Sequence, residues 1–289
     1  MSIEDIVDQA WKKSFIPILR KKSLDQLVEA DNVLFSKKHN DFLKRNWASI
    51  TPYTLIDPFR IGVLLDLLDQ TLDLDGDIVE CGAYKGGTGL LLAMLLRDLS
   101  IHKKIHLFDS FEGLPAPHLT KDMGYKVGEF RSDYEQLKSL IDAFGLNGYI
   151  TIHKGWFKDT IPQYTSRENK ICFLHIDCDL YQSTIDSFGN LIGYLDPKSI
   201  VVFDDFNDGS GGERQAVLDI LRDNKKVFHL GPAPQTYYFS SPSHQNTSHR
   251  ISDGNLTFDY SAIVENKGYL NWLSKVGKIN FEQILKSFK

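Results

Sequence analysis

Residues 76–89 read GDIVECGAYKGGTG. A short β-branched run ends on Glu80 and Cys81 and passes into a turn with glycines at 82, 86, 87 and 89. This pattern predicts a buried strand, a glycine turn and a helix over about 87–98. Glycine turns of this kind usually hold phosphate, because backbone N–H groups at a helix N-terminus favour anions. Two phosphate motifs fail here. A P-loop needs GxxxxGK[ST], whereas Lys85 precedes the glycine pair. A dinucleotide turn needs GxGxxG, a spacing that these four glycines do not keep. Glu80 also has the wrong sign for a pyrophosphate.

Outward from this stretch, strands and helices alternate. Strands are expected at 76–81, 104–109, 149–153, 171–177, 199–204, 226–229 and 236–240. The helices between them fall at 87–98, 132–144, about 157–161, 181–195 and 212–224. Buried β-branched runs separated by helices predict an α/β fold with a mostly parallel, seven-stranded sheet covered on both faces. The link Leu230–Gln235 is too short for a helical crossover, so the last two strands are expected to form an antiparallel hairpin. Asp57-Pro58 supplies an N-cap and a first-turn proline for a helix through about Leu72. The divisions that follow are an N-terminal helical appendage (1–56), the core (57–242) and a C-terminal extension (243–289). The extension holds the polar stretch SHQNTSHRISDGN and then an amphipathic tail, read as a cap or a dimer element.

The chain has 289 residues, 42% of them hydrophobic, and a formal net charge of −5. That balance can fill a core and gives no support to a nucleic-acid partner. The three cysteines, Cys81, Cys172 and Cys178, are odd in number and form no CxxC pair, which argues against disulfides or a zinc knuckle. The N-terminus has no apolar signal core and no apolar run approaches a membrane span. A soluble cytoplasmic protein is expected.

The other strand ends narrow the ligand. The second strand ends HLFDSFEG, placing Asp109, Ser110 and Phe111 where an acid can accept both hydroxyls of a ribose. After the third strand, Gly155, Trp156 and Phe157 offer aromatic surface to an adenine. Glu80 then suits a cation. The α-ammonium and sulfonium of S-adenosylmethionine are cations, and its carboxylate can rest on backbone N–H groups. Strand four ends HIDCDLY, with Asp177 and Asp179 on one side if the chain stays extended; strand five ends in Asp204 and Asp205. Four carboxylates at one sheet edge repel unless a cation sits among them, and an all-oxygen set suits Mg2+ or another hard divalent ion. His175, between apolar neighbours, is expected to be a packed, hydrogen-bonded histidine.

The motifs GDIVECGAYKGGTG, HLFDSFEGLP, KGWFKDTIP, HIDCDLYQST and IVVFDDF resemble, in order and across about residues 50–240, those of the macrocin O-methyltransferase (TylF/MycF) family. Those bacterial enzymes methylate sugar hydroxyls of natural products. The resemblance implies a Rossmann-like class I methyltransferase, S-adenosylmethionine as donor, a homodimer, and Mg2+ held by aspartates after strands four and five. Carried over by position, Glu80, Gly82 and the backbone of Ala83, Tyr84, Lys85 and Gly86 would hold the methionine moiety, with Asp177 close by. Asp109, Ser110 and Phe111 would meet the ribose, and Gly155, Trp156 and Phe157 the adenine. Asp177 or Asp179, with Asp204 and Asp205, would bind the metal. The turn DPKS before strand five and Phe206 after it depart from the family pattern.

The expected reaction is in-line methyl transfer to a hydroxyl of a small molecule, a sugar or glycosylated natural product, with Asp177 or Asp179 taking the proton. The loop Phe111–Phe130 is expected to act as a mobile lid. A metal-dependent glycosyltransferase using the DCD triplet is a rival that leaves Glu80 and the glycine turn unexplained. A non-catalytic binding subunit of the same fold is a second, and it leaves the intact acids unexplained.

Overall fold

The computed structural model describes residues 37–56, 58–166, 169–206 and 212–224, and four short strands within 228–258. Helices α1 (Lys37–Ile50) and α2 (Pro58–Asp69) lead into strand β1 (Asp77–Cys81) and helix α3 (Gly87–Asp98). There follow β2 (Ile105–Asp109), α4 (Tyr134–Ala143), β3 (Ile150–Lys154), α5 (Phe157–Thr165), β4 (Ile171–Ile176), α6 (Tyr181–Leu191), β5 (Leu195–Phe203) and α7 (Glu213–Asp223). The last strands are β6 (Phe228–Leu230), β7 (Thr236–Phe239), β8 (His249–Ser252) and β9 (Asn255–Phe258).

Among the described residues the sheet has nine strands in the order β3-β2-β1-β4-β5-β7-β6-β8-β9. The first five are parallel, and β7 runs antiparallel to both β5 and β6. Nine strands replace the expected seven, because HRIS and NLTF pair with each other and extend the antiparallel edge from β6. Each has four residues, too few to show alternation, and the first lies within the polar stretch; the Asp253-Gly254 dipeptide between them is the one hairpin signal in the sequence there. Strand β5 begins at Leu195 rather than Ser199. The Asp57 cap, the residue 231–235 turn, the segment before residue 37 and the tail after 258 lie outside the described residues.

Period-two alternation divides the sheet's side chains between two cores. On one face Ile78, Leu107, Phe173 and Val202 pack against α1, α2 and α3 through Leu43, Leu64 and Leu91. On the other face Val79, Phe108, Leu174 and Phe203 meet Ile161 of α5, Phe188 of α6 and Val217 of α7. Strand β4 is buried along its whole length, as a central parallel strand covered on both sides must be. Helix α1 joins the first core through Phe42, Leu43 and Ile50, and buried His39 bonds Asp69 of α2 at 2.9 Å. No described helix is long and apolar enough to cross a membrane.

Candidate active site

The carboxyl ends of the parallel strands open on a cavity of about 910 Å³, the position where ligands sit on open α/β sheets. Its wall brings together Gly82, Ala83 and Tyr84 after β1, Asp109 and Ser110 after β2, and Gly155, Trp156 and Phe157 after β3. Asp177 and Asp179 after β4 and Asp204 and Asp205 after β5 complete the sheet's side. Tyr53–Ile56 before α2, Arg60 of α2, and Leu114–Ala116, Tyr125 and Phe130 of the long loop form the opposite side. Residues before α2 carry no motif, so sequence did not single them out.

Four expected site residues are not on this wall. Lys85 extends over the Tyr84 ring, Gly86 caps α3 against Leu137, and Phe111 packs edge-on against Tyr134. Glu80 is buried behind the turn, with its Oε1 3.0 Å from His175 Nδ1. Strand register explains this pairing: Glu80 and His175 are partners across β1 and β4, so both side chains point to the α2–α3 face. The turn's glycines also meet protein. A Cβ on Gly82 would lie 1.7 Å from the Asp177 carbonyl oxygen, and one on Gly89 would lie 2.9 Å from Glu80 Oε2. The glycines thus let β1 close on β4 and α3 close on Glu80.

Asp109 organises the part of the wall between β1 and β2. Its Oδ2 accepts the N–H of Tyr84 at 2.7 Å and its Oδ1 that of Phe111 at 2.6 Å. These bonds hold both residues at positive φ, 51° and 61°. Burial raises the Asp109 carboxyl to about 6; the two N–H bonds oppose that rise and the charge of Glu80 adds to it.

The acids after β4 and β5 form the second feature. Asp177, Asp204 and Asp205 each offer an oxygen, all within 4.8 Å of one another. Asp179 is not in this group. The expectation of an extended chain fails beyond Ile176, because Leu180 N–H bonds Cys178 O at 2.5 Å and Asp179 is left-handed at φ 56°. The Asp179 side chain therefore leaves the line of Asp177 and faces the cavity separately.

Burial pushes the Asp177 carboxyl well up, and the nearby charges of Asp204 and Asp205 push it further. Arg60 forms an ion pair with Asp204 Oδ2, and His175 Nε2 stands 3.7 Å from Asp204 Oδ1. Burial alone would lower the histidine; Asp204 and Glu80 instead hold it at about 10, a cation between two acids. Behind Asp205, fully buried Glu213 accepts the Asp205 N–H at 3.1 Å. Burial first, and then Asp205 and Asp204, hold the Glu213 carboxyl well up. Arg60 and Glu213 belong to no motif and reach the site only through helix packing. The donor set fits a hard divalent cation: it is all oxygen, and the charges of Asp204 and Asp205 bear on the Asp177 carboxyl beside them.

A family model supplies the deciding comparison: macrocin-O-methyltransferase (TylF) matches residues 4–229. The chain belongs to the macrocin-O-methyltransferase (TylF) family. Two curated relatives agree with this membership. A Streptomyces olivaceus 8-demethyl-8-(2,3-dimethoxy-alpha-L-rhamnosyl)-tetracenomycin-C 4'-O-methyltransferase is 29% identical over 175 residues, covering 57% of this chain and 66% of its own. A Streptomyces niveus demethyldecarbamoylnovobiocin O-methyltransferase is 27% identical over 176 residues, covering 56% and 65%. The chain thus spans just under two thirds of the length of these curated relatives. Among solved structures, the O-methyltransferase NovP superposes with a TM-score of 0.58 at 22% identity, covering 65% of this chain and 81% of NovP. The calicheamicin methyltransferase CalS11 gives 0.56 at 23%, covering 83% and 93%. At these identities the two structures bear on the fold, which is that of class I O-methyltransferases.

Proposed function

We propose that this TylF-family chain transfers the methyl group of S-adenosylmethionine to a hydroxyl of a sugar carried by a natural product, assisted by Mg2+. The observation that carries the reading is one cavity walled by both the Asp109 turn and the Asp177–Asp204–Asp205 group. The named activities of the two Streptomyces relatives support a glycoside as acceptor. A homodimer is part of the same reading and rests on the family resemblance; light scattering of the purified protein tests it. The cytoplasmic location is part of the reading on the sequence features alone.

In this mechanism the backbone of Gly82–Tyr84 receives the methionine end of the donor, Asp109 accepts the ribose hydroxyls, and Trp156 and Phe157 flank the adenine. Asp177, Asp204 and Asp205 would hold Mg2+, which when bound makes a sugar hydroxyl more acidic and fixes its direction. Asp179, on the cavity wall but outside the ligand group, takes the hydroxyl proton on a carboxylate oxygen as the methyl moves. His175 and Arg60 offset part of the acids' mutual repulsion and hold Asp204 in place.

The test is methyl transfer from isotopically labelled S-adenosylmethionine to a panel of rhamnosyl and other glycosides, with and without EDTA. Metal-dependent label in the sugar is the expected result. Calorimetric binding of a nucleotide-sugar without binding of S-adenosylhomocysteine would replace the reading with a glycosyltransferase.

Asp109 gives the reading a pH signature. A protonated carboxyl accepts ribose hydroxyls less well than a carboxylate, and this group changes charge near 6 in the free protein. Affinity for S-adenosylhomocysteine is therefore expected to be full above about pH 7 and to fall as pH drops through about 6. The limiting slope is roughly tenfold per pH unit. Asp109→Asn is expected to bind weakly with no such slope; a wild-type slope in that variant would assign the titration elsewhere.

A further inference from the structure

The loop between Phe111 and Phe130, expected to be a mobile lid, is fastened at one buried carboxylate. Asp122 is 6% exposed. Its Oδ1 accepts the N–H of Tyr181 at 2.8 Å and of Gly212 at 2.9 Å, and its Oδ2 accepts the N–H of His118 at 2.7 Å. Tyr181 opens α6 and Gly212 caps α7, so one oxygen spans two helix N-termini, where the backbone dipoles favour a negative charge.

Each of those helices begins just after an acid-bearing turn. Tyr181 lies two residues beyond Asp179. Gly212 directly precedes Glu213, which accepts the Asp205 N–H at 3.1 Å. From the single Asp122 oxygen, covalent and hydrogen-bonded links run to the turn after β4 and to the turn after β5. The fit is close, since a Cβ on Gly212 would lie 2.4 Å from Asp122 Oδ1. A second set of contacts holds the same stretch of loop. Lys121 Nζ stands 3.1 Å from the Tyr181 ring centroid, and the Tyr181 hydroxyl donates to Asp219 Oδ2 at 2.9 Å.

We propose that Asp122 is a positioning residue for the acid cluster: it fixes the separation of the Asp177–Asp179 turn from the Asp204–Asp205 turn without touching ligand. This rests on the reading of those acids as a metal site. The alternative, that Asp122 only fastens the loop, makes a different prediction for the two substitutions below.

Asp122→Ala removes all three acceptor contacts. Asp122→Asn keeps an amide oxygen for Tyr181 and Gly212 and loses only the acceptor facing His118. In Asp122→Ala, Mn2+ affinity, followed by its electron paramagnetic resonance signal without donor or acceptor, is expected to fall roughly 10- to 100-fold. Amide exchange in peptides over 178–184 and 212–218 is expected to quicken, while exchange in β1 and β4 holds. Asp122→Asn is expected to keep Mn2+ affinity within about threefold, yet to speed tryptic cleavage after Lys121.

Wild-type Mn2+ affinity and exchange in Asp122→Ala would overturn the proposal. So would equal loss of affinity in both variants, which would assign the effect to charge. If Asp122→Ala does not fold, the combination of retained affinity and faster cleavage in Asp122→Asn decides. If the wild-type protein binds no Mn2+, the metal reading fails; the exchange rates at the two helix starts then decide whether Asp122 holds the turns.

Discussion

Gly82→Ala is expected to destabilise the protein by on the order of 3–5 kcal/mol, enough to leave much of it unfolded. Two effects add. Gly82 has φ of +95°, where an L side chain costs about 1–3 kcal/mol. Its Cβ would also lie 1.7 Å from the Asp177 carbonyl oxygen, so the backbone itself must move. Movement there breaks the bonds Gly82 N–H to Phe108 O and Asp177 N–H to Cys81 O, each 2.9 Å, which close the turn onto β2 and β4. Gly145→Ala separates the two effects, because Gly145 has φ of +66° and no heavy atom within 4 Å of a Cβ. It is expected to cost about 1 kcal/mol. Urea unfolding of both variants checks this; equal costs would show that close approach of β1 to β4 adds nothing to the strain.

Gly82 also shows what the sequence could and could not reveal. The strand–turn–helix unit was legible, because a β-branched run and a glycine cluster are local signals. So were the acids at 109, 177, 204 and 205, each closing a strand whose direction follows from its neighbours. Partners were not legible. Whether Glu80 faces ligand or protein depends on the register that sets it beside His175, a residue 95 positions away. The turn that separates Asp179 from Asp177 depends on one left-handed residue, which no periodicity predicts. Arg60, Asp122 and Glu213 come from a helix, a loop and a helix start, and only tertiary packing brings them to the acids. Strands β8 and β9 were missed for another reason: four-residue strands are too short to show alternation, and only their Asp253-Gly254 connection carries a signal.

The acids themselves carry the largest expected functional effect. Under the proposed metal-assisted mechanism, Asp204→Asn is expected to lower kcat by roughly 10^2–10^4, because such assistance contributes several kcal/mol to a transition state and each 1.36 kcal/mol is tenfold. Asparagine keeps an oxygen for Arg60 and nearly the same volume; its NH2 would face His175 Nε2, leaving that histidine its contact with Glu80 at 3.0 Å. It removes one of the charges that, after burial, raise the Asp177 carboxyl, so the apoprotein is relieved of repulsion while its ligand set is weakened. Mn2+ affinity is therefore expected to drop at least tenfold while S-adenosylhomocysteine affinity, measured by calorimetry, stays within about twofold. Asp179→Asn divides the roles. If Asp179 is the proton acceptor proposed above, the substitution is expected to cost about 10^2–10^4 in kcat with unchanged Mn2+ affinity. Loss of Mn2+ binding in Asp179→Asn would make Asp179 a ligand. Full turnover in Asp204→Asn, and in wild-type enzyme freed of metal by EDTA, would remove the metal from the mechanism and leave proton transfer to Asp179 as the chemistry these acids perform.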